Sequence, residues 1–108
     1  MKTMSIESLE YVPATVTAFK RGQPYNPTGD VVEFAFTAPG ASLTGATWVA
    51  GSWDGDSPVP GTSASYTALC YVGTGGDAAL PIGVYQVSVK VTDSPEIPVL
   101  SAYLLKIT

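Results

Sequence analysis

The chain contains no histidine. This removes the usual general base beside a Ser or Cys nucleophile, and the commonest zinc ligand. Charge is also scarce: Asp, Glu, Lys and Arg make up 13% of the residues, about half of the ~25% usual in soluble domains. Five basic residues stand against nine acidic ones, for a net charge of −4. Phosphate recognition needs clustered Lys and Arg, and Lys20–Arg21 is the one adjacent basic pair. Nucleic acid is therefore not an expected partner, and an acidic membrane surface is disfavoured. The single cysteine, Cys70, cannot form a disulfide within the chain, which excludes a secreted disulfide scaffold. It lies in an apolar run and reads as a buried, inert thiol. The start, "MKTMSIESLEY", lacks the apolar core of a signal peptide, and no apolar run approaches the ~20 residues that span a bilayer. A cytoplasm is the expected compartment of synthesis.

Helical periodicity is missing as well. Nine prolines and eleven glycines interrupt every window long enough to hold a helix. What is present is a series of short β-rich runs separated by turn residues. "MSIESLEYV" leads across Pro13 into "ATVTAFK", and "RGQPYNPTGD" supplies turn chemistry. "VVEFAFT" alternates with Val32, Phe34 and Phe36 on one face, as a half-buried strand requires. "ATWVAGSW", "SYTALCYVG", "VYQVSVKVT" and "VLSAYLLKI" follow. The expected fold is all-β, an immunoglobulin-like Greek-key β-sandwich of about seven strands. Residues 1–12 are expected to form an N-terminal strand or docking arm and 13–108 a single sandwich domain. A chain of 108 residues is one domain in size and needs no metal or disulfide to hold its core.

Within this frame "LPIGVYQV" places Leu80, Gly83 and Tyr85 as a tyrosine corner, where a Tyr hydroxyl bonds to backbone a few residues upstream. Asp54 and Asp56, flanking Gly55, could begin a calcium site, but the EF-hand pattern is not completed and a solvated turn is the reading preferred. The nine carboxylates are dispersed and present no acid/base pair. No catalytic, metal-binding or cofactor-binding residue is expected, and no cofactor. Trp48 is the expected core tryptophan and Trp53 the exposed one. Trp53, Tyr71 and the Asp54–Asp56 loop define an alternative, a carbohydrate-binding module. In the last strand, alternation puts Leu100 and Leu104 on the face opposite Tyr103, Leu105 and Ile107. The residues expected to meet a partner are Ile6, Leu9, Tyr11, Trp53, Leu100 and Leu104.

The ordered elements "YNPTGDVVEFAF", "ATWVAGSW", "YTALCYVGTGG" and "ALPIGVYQVSVKVTDSPEIPV" resemble those of small virion-associated proteins of actinobacterial tailed phages. The resemblance covers about residues 5 to 108. The apolar ending "VLSAYLLKIT" departs from the charged one that such proteins would lead one to expect. The resemblance implies a non-enzymatic structural protein of the head or neck region. Its leading role would be capsid decoration; the partners implied are the major capsid protein or neck proteins, with the protein homo-oligomeric or in many copies on the particle. A head-to-tail connector or tail-associated role is the alternative. The expected location is the virion, assembled in the host cytoplasm, with Met1 to Tyr11 docking on a neighbour by strand addition.

Overall fold

Alternation of inward apolar and outward polar residues sets the long strands of the chain. The computed structural model describes residues 1–55, 57–61, 64–92 and 99–108. Its strands are β1 (Lys2–Met4), β2 (Glu10–Thr17), β3 (Phe19–Lys20), β4 (Gln23–Pro24), β5 (Val31–Thr37), β6 (Val49–Ala50), β7 (Ser52–Trp53), β8 (Ser65–Val72), β9 (Gly83–Thr92) and β10 (Val99–Ile107). No α-helix occurs among the described residues. Pro27–Gly29 makes one 3-10 turn, where the Asn26 side-chain oxygen accepts from the Thr28 N–H at 3.0 Å.

Two sheets face each other. One has the order β1-β10-β9-β5-β6 and the other β2-β8-β7, while β3 and β4 form a separate hairpin. All pairings in both sheets are antiparallel except β1 with β10, where Met4 sits opposite Ile107. Val12, Ala14 and Val16 of β2 meet Ala68, Cys70 and Val72 of β8 on the inner face of the smaller sheet. They form one apolar cluster with Val32, Phe34, Val87, Val89, Val91, Leu105, Ile107 and Met4 of the larger sheet. Burying a Phe, Leu or Ile side chain contributes about 1.5–3 kcal/mol each, so this shared cluster is what holds the sheets together.

The all-β expectation stands, but the described residues form ten strands rather than about seven, five of them of only two or three residues. Three physical reasons account for the difference. The N-terminal run is interrupted by a turn in which the Ser8 N–H donates to the Ser5 carbonyl, separating β1 from β2. Strand β2 then continues straight through Pro13, and the notional division between residues 12 and 13 falls inside it. Pro is tolerated there because β2 is an edge strand. Finally, "WVAGSW" changes sheet at Gly51: β6 pairs with β5, while β7 pairs with β8. A Cβ on Gly51 would lie 2.8 Å from the Phe34 ring and 2.9 Å from the Leu69 carbonyl oxygen. Only glycine lets the chain pass between the sheets at this point.

Candidate functional site

The corner residues come together as the spacing predicts. The Tyr85 hydroxyl donates to the Pro81 carbonyl at 2.8 Å, and Leu80 packs against the core cluster. This contact fixes the entrance to β9 and is structural. Beside it lies an opening of about 220 Å³ lined by Phe36, Thr47, Val49, Ala78, Ala79 and Leu80. None of those side chains is ionisable.

The two tryptophans exchange the roles expected of them. Trp53 packs against the core cluster, and its indole N–H donates to the Asp30 carbonyl at 3.0 Å. Trp48 lies half-buried on the outer face of the larger sheet. There the Lys90 ammonium sits 4.5 Å from its ring centroid and 3.6 Å from a Glu33 carboxylate oxygen. The sheet crossing at Gly51 is the cause, since it turns Trp53 inward just after the chain changes sheet. Trp53 is thus half-buried against the core, short of the exposed platform expected of it. Tyr71 instead stacks on Tyr11, with ring centroids 4.6 Å apart, as a cross-strand pair. Asp54 is exposed, and Asp56 lies outside the described residues. Among the described residues no three His, Cys, Asp or Glu side chains gather as a metal site would require. Cys70 is fully buried. Burial first, and the negative charge of Asp77 second, push its thiol up to about 12, so it stays protonated at neutral pH and is no nucleophile.

The remaining partner-contact candidates do not form one patch. Ile6, Leu9 and Tyr11 are all exposed and lie around the start of β2. Leu9 packs over the glycine loop that follows β8. There Gly73 has φ +138, and a Cβ on it would meet the Ser8 carbonyl oxygen and the Leu9 backbone. Leu100 lies toward the other end of β10, opposite Val89. A β-bulge between Ser101 and Tyr103 shifts the register, and this corrects the face assignment drawn from alternation. Leu100 shares the inward face with Val89, whereas Leu104 opposite Gln86 points outward. An extra residue reverses the side on which each following side chain emerges.

Two strand edges stand out. Among the described residues β2 pairs with β8 alone, which makes its other side an edge. Pro13 in its middle has no N–H to offer, and the Pro13 carbonyl accepts the Tyr103 hydroxyl at 2.7 Å. Burial pushes the Tyr103 phenol up to about 12, so it remains a donor. The opposite edge of β10 is covered by β1 only from Leu105 to Ile107. Neither Pro13 nor Tyr103 stood out in the sequence as an edge residue. The signal was present in Pro13 itself, since a proline within a strand marks an edge.

Comparison with known protein families, curated proteins and solved structures finds no match. Several of the ordered sequence elements fall on joints of the fold. Asn26-Pro27-Thr28 caps the 3-10 turn, the W-x-x-G-S-W element is the crossing between sheets, and V-G-x-G-G is the loop closed on Ser8 and Leu9. L-x-x-G-x-Y is the tyrosine corner. In "VTDSPEIPV", residues 93–98 lie outside the described residues.

Proposed function

We propose that the chain is a non-enzymatic structural protein of a tailed-phage particle. Its leading role is that of a capsid decoration subunit bound to the major capsid protein in many copies. The observation that carries the reading is the ordered resemblance of its motifs, several of which serve as joints of the fold. The strand order supports a finer description, an immunoglobulin-like Greek-key sandwich. In that description β2, β8 and β7 serve as strands B, E and D, and β10, β9, β5 and β6 as G, F, C and C′. The tyrosine corner stands at the entrance to strand F, where this class places it.

Function in this reading is position. Each bound copy adds interface area between shell subunits and opposes their separation, with no bond made or broken. A surface poor in charge repels neighbouring copies less than a typical one. Protein counting in purified particles tests the role: hundreds of copies support decoration, six or twelve move the protein to the neck, and absence from the particle refutes the reading.

A further inference from the structure

The outer face of the smaller sheet is built from four cross-strand pairs of β2 and β8: Tyr11 with Tyr71, Pro13 with Leu69, Thr15 with Thr67, and Thr17 with Ser65. The residues that alternate with them fill the core, so these side chains point away from it. Those of β2 are exposed and those of β8 half-buried. At one end the Tyr11 and Tyr71 rings lie with centroids 4.6 Å apart and planes inclined by 31°, and Tyr11 is 55% exposed. Pro13 and Leu69 continue this apolar end. Beyond them the pairs carry hydroxyls, and Thr17 and Ser65 hold each other at 2.9 Å. Successive pairs stand roughly 7 Å apart, the length of two strand residues. Among the residues of β2, β7 and β8 only Glu10 is charged, and alternation turns it to the side opposite Tyr11.

We infer that this face binds a neutral glycan, a chain of uncharged sugar units laid from the Tyr11–Tyr71 pair toward Thr15 and Thr67. The C–H groups of a sugar ring carry slight positive charge and stack on the negative face of an aromatic ring. Sugar hydroxyls donate and accept hydrogen bonds, and so do the hydroxyls of Thr15 and Thr67. Three features select this ligand over others. A nucleic acid, an anionic lipid or a basic peptide would lose hydration and meet no opposite charge on the face. An apolar protein surface would bury the threonine hydroxyls without partners. A stable protein partner takes about 20–30 residues a side, against the eight side chains of these pairs. The face is also set before any ligand arrives: β8 holds β2 along its whole length, with the two tyrosines directly opposite. Little ordering is then required on binding. The aromatic platform expected around Trp53 thus lies on Tyr11 and Tyr71 instead, and its sugar-binding role is independent of attachment to a particle.

Isothermal titration of the full chain with cellohexaose, maltohexaose, mannohexaose and chitohexaose tests the inference. At least one of these is expected to bind with a Kd on the order of 0.1–1 mM. Its affinity should stay within about twofold between roughly 50 and 500 mM salt, as an uncharged contact requires. Tyr11→Ala is expected to weaken the binding at least about tenfold, while Tyr11→Phe, which keeps the ring, stays within about threefold of the native chain. Thr15→Val exchanges a hydroxyl for a methyl at an exposed position. It should weaken binding about threefold with an unchanged melting temperature. Absence of binding to every one of these sugars overturns the inference. So does a Kd indifferent to Tyr11→Ala, or tighter binding of heparin, a polyanionic glycan, than of any neutral sugar. A failed titration leaves the presence of the protein in particles untouched, and absence from particles leaves the titration untouched, so the two failures are distinguishable.

Discussion

Leu100 and Leu105 share one strand and both face inward, yet Leu105 is fully buried while Leu100 is 37% exposed. The difference arises from what lies alongside. At Leu105 the strand has β9 on one side and β1 on the other, and Met4 closes the core; at Leu100 β9 is the only paired strand among the described residues. The same contrast separates β10 from β2, whose edge is closed by a proline and a borrowed hydroxyl. Core packing and edge chemistry are therefore separable properties of one strand. The half of β10 covered by β1 contributes more to stability than the half around Leu100.

The largest effect should come from the covered half. Leu105→Ala is expected to cost about 2–5 kcal/mol, the lost transfer energy plus the cavity, and Leu100→Ala about 1 kcal/mol or less. Urea unfolding of the two variants measures the gap, and equal losses would break the contrast. Next comes the seal on β2. Tyr103→Phe removes the hydroxyl from the Pro13 carbonyl and is expected to cost about 1 kcal/mol. Tyr85→Phe at the corner should cost a similar amount.

The Tyr103 seal also carries a pH signature. The folded phenol titrates near 12 against about 10 in an unfolded chain, so above pH ~10 the unfolded state loses its proton first. Stability is then whole below about pH 10 and falls as pH rises toward 12. Cys70, raised from 9.0 to about 12, adds a fall of the same sign that begins lower. Thermal melts across this range should show a shallower decline in Tyr103→Phe than in the native chain; identical profiles would count against the Tyr103 bond to Pro13.

Pro13→Thr restores an N–H to the closed edge. Its stability should shift by no more than about 1 kcal/mol, but self-association through β2 should appear on a size-exclusion column; an unchanged profile would mean that Pro13 is not part of the seal. The smallest effect on stability belongs to Ser101→Lys, at an exposed position of β10, within about 0.5 kcal/mol. A larger loss would show that this position supports the fold itself.

Much of the architecture was legible in the alternation of "VVEFAFT", "SYTALCYV" and "VYQVSVKV", because a strand with one buried face writes its period into the sequence. Tyr85 was legible too, since the corner is local and needs only a spacing. Trp48 and Trp53 were read in reverse because the crossing at Gly51 depends on how two sheets approach, which no local pattern records. Leu100 and Leu104 were placed on one face for a similar reason: the bulge at Ala102 has no compositional mark. The closed edge at Pro13 depends on Tyr103, a residue distant in sequence, so its chemistry emerges only in three dimensions.

A cryo-EM map of the intact phage particle tests the account most directly. The account predicts many copies of a body of 40 × 30 × 23 Å seated on the capsid shell. A complete map with no such density on the particle would contradict it.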